Sequence, residues 1–273
     1  MRTQRLSATT VGISRVQDLL DALEDPSGLA WVRHGEGLVA WGEAARIEVG
    51  RGPDRFERAL ADLEETFGAI DVVREVDVIG SGPVAFGSFT FDPDDLGSVL
   101  IVPSVIVGLR AGRSWVTRIG EEPTFDPTEA PEDDRIRYWG PSAPEMAWLD
   151  AVATAEKAVR NGELEKVVLA RDMRVWSKTA LSPRRLLKRL AQRFPECYSF
   201  SVDGLIGATP ELLVETREDW MRSSVLAGSI RRGVDEVEDG VLGTMLLMSA
   251  KDKVEHEVAV RSVTDVLPRF WRH

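Results

Sequence analysis

The sequence has a single cysteine, three histidines and no long apolar run, and these shortages exclude several classes of protein. With Cys197 alone the chain forms no internal disulfide, which is typical of a reducing compartment. The first 14 residues lack the apolar stretch of a secretory signal, and the longest apolar segment, Val99–Leu109, is interrupted by Pro103 and Ser104. These absences predict a soluble, cytoplasmic protein that has no membrane partner.

Positive charge is also scarce. The chain has 34 Lys and Arg against 45 Asp and Glu, which gives a net charge of −11 and a pI near 4.9. Because duplex binding needs many cationic contacts to phosphate, nucleic acid is excluded as a partner. The deficit is uneven: residues 1–150 carry 14 basic and 27 acidic side chains, whereas residues 151–273 carry 20 and 18. Either the first part simply has a well-solvated acidic surface, or a small anionic ligand binds in the second part.

At 273 residues and 43% hydrophobic composition, the chain can bury one large core or two modest ones. An acidic, proline-rich connection at 121–143 separates two sequence patterns, so we predict two domains, 1–145 and 146–273. The mixed order of elements favours an α+β fold, with mainly antiparallel large sheets flanked by helices, over a doubly wound parallel sheet.

Local patterns predict individual strands and helices. The predicted strands are Leu29–Arg33 and Leu38–Trp41 around a turn at His34–Gly37, then Val84–Phe91, Val99–Val107, Trp115–Ile119, Lys166–Trp176, Tyr198–Val202 and Leu205–Thr209. A helix is predicted from Gly52-Pro53 to Gly68, and its face with Phe56, Leu60, Leu63 and Phe67 should lie on a sheet. Three further helices are predicted: one ends at Asn161-Gly162, one begins at Ser182-Pro183, and one long helix spans Val241–Leu267.

Two residues of the second part are candidates for acid–base chemistry. Lys166 stands at the head of an apolar strand face, where desolvation favours a neutral amine that can serve as a base. The alternative is a strand-end lysine that extends into solvent. Glu211 follows Gly207–Pro210, where small residues and a proline hold a stiff turn, and a carboxyl kept in an apolar setting can act as an acid. Pro-Glu is also an ordinary turn dipeptide.

Two further segments are candidates for binding. Leu226, Ala227, Gly228 and Ser229 offer backbone N–H groups and a hydroxyl to an anion, and Arg231 and Arg232 follow closely. This segment lacks the pattern of a phosphate-binding Walker loop.

The last segment carries carboxylates at helical spacing. Glu255 has Ala259 and Ser262 one and two turns on, and Asp252 lies three residues before it. An oxygen site for Mg²⁺ is plausible on these residues, and a zinc protease is excluded by the spacing. The alternative is a solvated helix face.

Taken together, these segments resemble the successive motifs of the chorismate-utilising enzymes. The resemblance is carried by Lys166–Arg171, Gly207–Leu213, Leu226–Ser229 and Lys251–Glu257, and Val84–Phe91 is similar to the N-terminal region of the same enzymes. It covers nearly the whole chain and is strongest with the isochorismate synthases. It implies the chorismate-binding fold of anthranilate synthase component I.

The resemblance also implies a role for each candidate residue. Lys166 matches the lysine that activates water for attack at C2 of chorismate, and Glu211 matches the acid that protonates the departing C4 hydroxyl. Leu226–Ser229 matches the loop that holds the substrate, and Glu255 matches a glutamate that binds Mg²⁺. The implied substrate is chorismate and the implied cofactor is Mg²⁺.

The resemblance also implies water rather than ammonia as the nucleophile, because the aminating members of the family generally do not have lysine at the position of Lys166. Isochorismate synthase is therefore the first candidate activity and salicylate synthase the second. Beyond Glu257 the family pattern continues through a further metal-binding glutamate, an arginine for the substrate carboxylate and a Gly-rich segment, which Leu267–His273 does not match. We therefore expect a C-terminally truncated chain of doubtful activity, with unpaired strand edges and exposed apolar surface.

The non-enzymatic alternative is a catalytically inactive remnant that binds a ligand or a partner. The sequence leaves open the choice between a menaquinone and a siderophore pathway. It also leaves the oligomeric state open, with a monomer as the default.

Overall fold

The computed structural model of the chain describes residues 5–24, 27–121, 136–217 and 220–267. Its strands are β1 (Leu6–Ile13), β2 (Leu29–Arg33), β3 (Glu36–Trp41), β4 (Ala45–Val49), β5 (Ile70–Arg74), β6 (Phe86–Ser88), β7 (Ser98–Val102), β8 (Val105–Arg110), β9 (Arg113–Ile119), β10 (Arg137–Gly140), β11 (Arg174–Trp176), β12 (Tyr198–Val202), β13 (Leu205–Thr209), β14 (Leu212–Thr216) and β15 (Met221–Ser224). Its helices are α1 (Arg55–Gly68), α2 (Glu145–Arg160), α3 (Pro183–Arg193), α4 (Glu236–Met248) and α5 (Ala250–Thr264), with a 3-10 helix at Leu19–Ala22. Among these residues no helix is both long and apolar enough to cross a bilayer.

The chain divides into two compact units. Unit 1 comprises Met1–Asp134 and Lys178–Thr209, and unit 2 comprises Arg135–Ser177 and Pro210–His273. The predicted domain division at 1–145 and 146–273 stays a prediction, since compactness alone does not show which parts fold independently. Of the predicted 121–143 connection, residues 122–135 lie outside the described part, as do residues 268–273 of the C-terminal segment.

Unit 1 is built on an eight-stranded sheet in the order β13-β12-β2-β3-β8-β9-β1-β5. Its pairs are antiparallel except β1 with β5. A three-stranded antiparallel sheet, β4-β7-β6, completes the unit. The predicted α+β class with mainly antiparallel sheets is confirmed.

Both faces of the large sheet are covered. On one face Ala8, Ala40 and Ile106 pack in a cluster with Val99 and Ile101 of the small sheet. On the other face, neighbouring strand residues pack against the 3-10 helix and α3, with Leu19 and Leu187 fully buried. Burial on both faces explains why β7 and β8 form an almost continuous apolar run.

Local signals predicted several elements correctly. The hairpins β2–β3 and β12–β13 lie at their predicted positions, with left-handed turn residues at His34 and Asp203. Helix α3 begins as predicted, because the Ser182 hydroxyl accepts a hydrogen bond from the Arg185 N–H at 3.1 Å and Pro183 occupies the first turn.

Helix α1 also forms, but its apolar face is only half covered. Leu63 and Phe67 pack against the core cluster, whereas Phe56 and Leu60 are 52% and 56% exposed. In the predicted strand Val84–Phe91, only Phe86–Ser88 pairs with a neighbour.

Unit 2 contains α2, α4 and α5 and two separate two-stranded sheets, β10–β11 and β14–β15. None of its described residues is buried. The apolar side chains of its helices and strands therefore remain largely exposed, with Val168, Leu213 and Val237 between 78% and 82%.

The predicted strand Lys166–Trp176 is wrong over most of its length. Only Arg174–Trp176 forms a strand, and the preceding residues have no regular structure. A strand is stabilised by its ladder partners, and within the described part of unit 2 residues 163–173 have none.

The predicted single helix at Val241–Leu267 is also wrong. The chain forms α4 and α5, which meet at Ser249. Ser249 has an extended ψ of 115°, and its hydroxyl accepts a hydrogen bond from the Asp252 N–H at 3.3 Å. The serine therefore caps a new helix where apolar periodicity alone suggests continuity.

Candidate functional site

All the predicted site residues lie in unit 2. The segment that carries Lys166 follows α2, which ends at Asn161 and the left-handed Gly162. Lys166 is half-buried in a segment without regular structure. One residue earlier, Glu165 accepts an ion-paired hydrogen bond from Arg261 of α5, with Oε1 and Nη2 2.6 Å apart. The segment is thereby attached to the helix that carries Glu255.

Glu211 is placed by the hairpin β14–β15. It directly precedes β14, and Leu212 pairs with Ser224 at the end of β15. The chain leaves β15 toward Leu226 at the same end of this sheet, so Glu211 and the Leu226–Ser229 loop start from neighbouring positions. Glu211 itself is exposed.

The glycine that precedes Glu211 has a structural neighbour. A Cβ placed on Gly207 would lie 2.6 Å from Cζ of Phe200 on the paired strand β12. The absent side chain therefore makes room for an aromatic ring of unit 1, and a ligand is not needed to explain this glycine.

The Leu226–Ser229 loop packs onto α5. Gly228 has a φ of 82°, a left-handed conformation that favours glycine. A Cβ on Gly228 would lie 2.9 Å from Oδ1 and 3.0 Å from Cβ of Asp252. The loop backbone thus lies against the Asp252 side chain, and the third and fourth sequence motifs meet at this contact.

Glu255 lies one turn beyond Asp252 on α5. Both residues are half-buried, and Lys251 Nζ is 3.8 Å from Glu255 Oε1. Arg261, which holds Glu165, lies a further six residues along the helix. With a rise of about 1.5 Å per residue, the loop contact at Asp252 and the ion pair at Arg261 are roughly 13 Å apart, and Glu255 lies between them.

The two arginines after the loop are engaged with α4. Arg231 pairs with Glu238, and Arg232 donates two hydrogen bonds of 2.7 Å to the carboxylate of Asp239. The N–H groups of Gly233 and Val234 bind the same two carboxylates. In this conformation both guanidiniums are ion-paired with carboxylates of α4, and their interpretation as groups beside an anion stays a prediction.

The pKa shifts of the paired groups are consistent with these ion pairs. The Arg231 guanidinium holds the pKa of Glu238 below its ordinary value, and the Arg232 guanidinium does the same for the pKa of Asp239. In return, Asp239 raises the pKa of Arg232. The loop is thus anchored at Gly228 by α5 and at Arg231–Val234 by the first turn of α4.

Some of these contacts were not predicted from the sequence. Glu165 and Arg261 are far apart in the chain and carry no motif, so no local signal predicts their pairing. The Arg231–Glu238 and Arg232–Asp239 pairs repeat one spacing of seven residues, which was a usable signal.

Within residues 5–24, 27–121, 136–217 and 220–267, no three His, Cys, Asp or Glu side chains come together to hold an ion. The predicted role of Glu255 as a metal ligand therefore stays a prediction.

A cavity of about 640 Å³ lies elsewhere in unit 2. It is bounded by Trp148 and Ala151 of α2 and by Leu169–Asp172. Asp172 accepts hydrogen bonds from the N–H and the hydroxyl of Ser142, at 2.8 Å and 2.7 Å. These bonds hold the pKa of Asp172 below its ordinary value.

The part of the chain that carries every candidate residue also defines its class. The model of the family described as chorismate binding enzyme matches residues 122–273, which is more than half of the sequence. The chain therefore belongs to the chorismate binding enzyme family, as the motif resemblance predicts.

Two relatives of the chain within this family are isochorismate synthases. The chain is 33% identical over 192 residues to the isochorismate synthase EntC of Escherichia coli K12, which covers 68% of this chain and 46% of that protein. It is 29% identical over 211 residues to the isochorismate synthase MenF of Bacillus subtilis 168, covering 66% of this chain and 45% of that protein. The chain thus spans about half the length of these curated relatives.

A solved structure from Bacillus anthracis superposes with a TM-score of 0.67 at 26% identity. It is described as a 2,3-dihydroxybenzoate-specific isochorismate synthase, DhbC, and the match covers 92% of this chain and 62% of that one. The predicted chorismate-binding fold is confirmed.

Proposed function

We propose that the chain is an isochorismate synthase type enzyme that converts chorismate to isochorismate. The relatives with this activity support the proposal. The observation that carries it is the contact of Gly228 with Asp252, because it brings the loop proposed to hold the substrate against the helix proposed to hold the metal.

In this proposal Lys166 is the base and Glu211 the acid. Lys166 takes a proton from water as the water oxygen bonds to C2, and Glu211 gives a proton to the C4 hydroxyl, which leaves as water while the ring double bonds shift. One water enters and one leaves, so the product is an isomer. The reaction starts from a neutral lysine and a protonated glutamic acid, and proton exchange with solvent restores these protonation states after each turnover.

Substrate binding is assigned to Leu226, Ala227, Gly228 and Ser229. Chorismate is a dianion, and residues 151–273 carry 20 basic against 18 acidic side chains, which makes this the electrostatically favourable part of an acidic protein. The backbone of the loop and the Ser229 hydroxyl are the groups we assign to a substrate carboxylate.

The residues of α5 fit Mg²⁺. This ion commonly takes one or two protein carboxylates and fills its remaining positions with water and substrate oxygens. We propose that Glu255 holds the ion, with Asp252 in reach of the same patch. The long ion pair between Glu255 and the exposed Lys251 is readily given up to a metal. When bound, Mg²⁺ supplies positive charge to a substrate carboxylate.

The decisive test incubates the full chain with chorismate and Mg²⁺ and follows isochorismate by chromatography. Lys166→Ala should lower turnover by at least about 100-fold, the usual contribution of a general base. Lys178→Ala, at an exposed lysine of unit 1, is the matched control and should keep the turnover of the parent chain.

Other products would change the assignment. Release of pyruvate would indicate a salicylate synthase, because that reaction adds an elimination step. Turnover that survives Lys166→Ala would contradict the role of the lysine. A thermal shift with chorismate but no product would indicate a ligand-binding remnant.

A further inference from the structure

A cavity of about 200 Å³ lies within unit 1, on the face of the large sheet that α3 covers. Leu20 of the 3-10 helix, Val32 of β2 and Ala191 of α3 supply apolar walls, and Cys197 and Ser199 supply polar groups. The volume corresponds to about six or seven water molecules. A small organic molecule therefore fits in a space that one structural water would not fill.

Ser199 brings a buried hydroxyl without a partner to this cavity. Ser199 lies opposite Val32 in the β12–β2 ladder, so both side chains are on the face that α3 covers. The residue is 1% exposed, and its Oγ has no hydrogen-bond partner within the described part of the chain.

The next serine on the same face shows the contrast. Ser201 is 2% exposed, and its hydroxyl donates to the Gly28 carbonyl at 2.8 Å. A buried hydroxyl that makes no hydrogen bond costs free energy, so the two serines are not equivalent. The Ser199 hydroxyl points to a molecule in the cavity that supplies its missing partner.

Cys197 adds a reactive group to the same space. It is the only cysteine of the chain, it is half-buried, and it lies two residues before Ser199. Its backbone N–H donates to the Phe194 carbonyl at 3.0 Å, which fixes the turn between α3 and β12. The cavity thus combines a thiol within reach of solutes with a hydroxyl that needs a partner.

The charges around the cavity favour an anion. Arg33 lines it, and the Arg33 guanidinium donates to two neutral oxygens, the Glu196 carbonyl at 2.9 Å and the Tyr198 hydroxyl at 3.2 Å. Within the residues that the structure describes, no carboxylate is ion-paired with Arg33. Helix α3 carries five basic side chains and no acidic one, although the whole chain has a net charge of −11. The cavity is therefore a cationic location on an acidic protein.

Lys188 of α3 also lines the cavity. Its Nζ is 3.8 Å from Oδ2 of Asp18, a second lining residue, and it forms a closer ion pair with Asp21. The ammonium group is thus held beside the cavity by the 3-10 helix and its N-cap. An anionic group that enters the cavity meets this ammonium at a fixed position.

We propose that Cys197 is a site of reversible S-thiolation by a small thiol that carries a carboxylate. The thiol arrives as its disulfide, which is the oxidant. Cys197 loses its proton to solvent, and its sulfur attacks one sulfur of the disulfide. A bond forms between the two sulfurs, the reagent's own S–S bond breaks, and the other half leaves as a thiolate that takes up a proton. A free thiol reverses the step, so the adduct is transient in a reducing compartment.

In the adduct the organic part occupies the cavity and its polar atoms are in reach of the Ser199 hydroxyl. The site lies in unit 1, whereas every residue assigned to isochorismate synthesis lies in unit 2. The proposal does not depend on that activity, because it is tested without chorismate or Mg²⁺.

Intact mass spectrometry of the full chain tests the proposal. The chain is incubated separately with dithiodipropionate, which carries two carboxylates, and with cystamine, which carries two ammonium groups. Each rate is divided by the rate of a blocked cysteine, N-acetylcysteine amide, with the same reagent. We expect one adduct per chain and a normalised rate at least about tenfold higher with dithiodipropionate. The net charge of −11 alone would favour the opposite order.

Two buried serines provide a matched pair of variants. Ser199→Ala removes the hydroxyl that lacks a partner, and it should lower the equilibrium constant for the mixed disulfide with mercaptopropionate about threefold or more. Ser201→Ala removes a hydroxyl that is already bound to Gly28, and it should leave this equilibrium constant unchanged.

A second matched pair tests the local charge. Lys188→Gln should lower the ratio of the dithiodipropionate rate to the cystamine rate at least about threefold. Lys178→Gln makes the same change of charge at an exposed residue that does not line the cavity, and it should leave the ratio unchanged.

Three outcomes would overturn the proposal. No adduct in the time in which the blocked cysteine reacts completely would mean that the thiol is closed to disulfides. A normalised rate with cystamine equal to or above that with dithiodipropionate would exclude an anionic thiol as the ligand. Equal effects of Ser199→Ala and Ser201→Ala would show that the adduct does not occupy the cavity.

Discussion

At the scale of single residues, Gly228 places the Leu226–Ser229 loop directly against Asp252 of α5. Two separate properties favour glycine at this position: its φ is 82°, and a Cβ built on it would lie 2.9 Å from Asp252 Oδ1. Gly162 shares the first demand, with φ 73°, but a Cβ there would meet nothing within 4 Å. Substitutions at these two glycines therefore distinguish the cost of backbone strain alone from the cost of strain together with a steric clash.

Gly162→Ala should therefore lower the free energy of unfolding by about 1–2 kcal/mol through strain alone. Gly228→Ala should cost more and should also raise the KM for chorismate, because the loop must move away from Asp252. Thermal unfolding and steady-state kinetics of both variants check this. Equal effects of the two substitutions on KM would show that the Asp252 contact does not position the loop.

Asp203 provides a pH-dependent interaction in unit 1. Hydrogen bonds from Arg46, at 3.1 Å and 2.8 Å, hold the pKa of Asp203 below its ordinary value. A carboxyl with a lowered folded-state pKa contributes stability above its unfolded pKa and loses that contribution as the pH falls through the folded pKa. The pair therefore stabilises the β12–β13 turn at neutral pH and not in strong acid.

We expect Asp203→Asn and Arg46→Met to show a small favourable coupling in a double-mutant cycle at pH 7, as is typical of a pair this exposed. Asparagine retains the left-handed turn, so the double-mutant cycle isolates the charge. Denaturant unfolding at pH 7 and near pH 2 measures it. A coupling of unchanged size in acid would contradict an ionic origin.

At the scale of secondary structure, Ser249 decides where α5 begins and hence where Asp252 and Glu255 stand. Ser249→Ala should reduce the stability of α5 by about 1 kcal/mol, whereas Ser249→Asp should retain the cap. Hydrogen exchange of the α5 amides checks the difference. A gain in helix content by circular dichroism in Ser249→Ala would instead indicate that α4 and α5 tend to form one helix.

The elements that could be predicted are those whose signal is local. The turn residues of β12–β13 and the Ser182-Pro183 start of α3 act within a few residues, and both elements form where expected. The strand predicted at Lys166 needs a ladder partner, and in the described part of unit 2 residues 163–173 have none, which composition does not reveal. The same holds for the site: the motifs name Lys166 and Gly228, but the contacts that attach their segments to α5 are made by Arg261 with Glu165 and by Asp252 with Gly228, and only folding creates them.

At the scale of the whole molecule, buried apolar area is concentrated in unit 1. Leu187 is fully buried between α3 and the large sheet, whereas Leu213 of unit 2 is 82% exposed. Leu187→Ala should therefore cost about 2–5 kcal/mol of unfolding free energy, and Leu213→Ala should stay within about 0.5 kcal/mol.

Chemical denaturation of both leucine variants measures this contrast. A large loss for Leu213→Ala in the chain alone would mean that unit 2 has a core in solution.

The order of strands in the large sheet has a consequence for how the protein is made. Strand β2 pairs with β12, and the Ser201 hydroxyl donates to the Gly28 carbonyl across a separation of 173 residues. On the ribosome, β2 is synthesised long before its neighbour and waits as an unprotected edge while residues 135–177 emerge. Because distant pairings are slow to close, unit 1 should complete its folding late in translation.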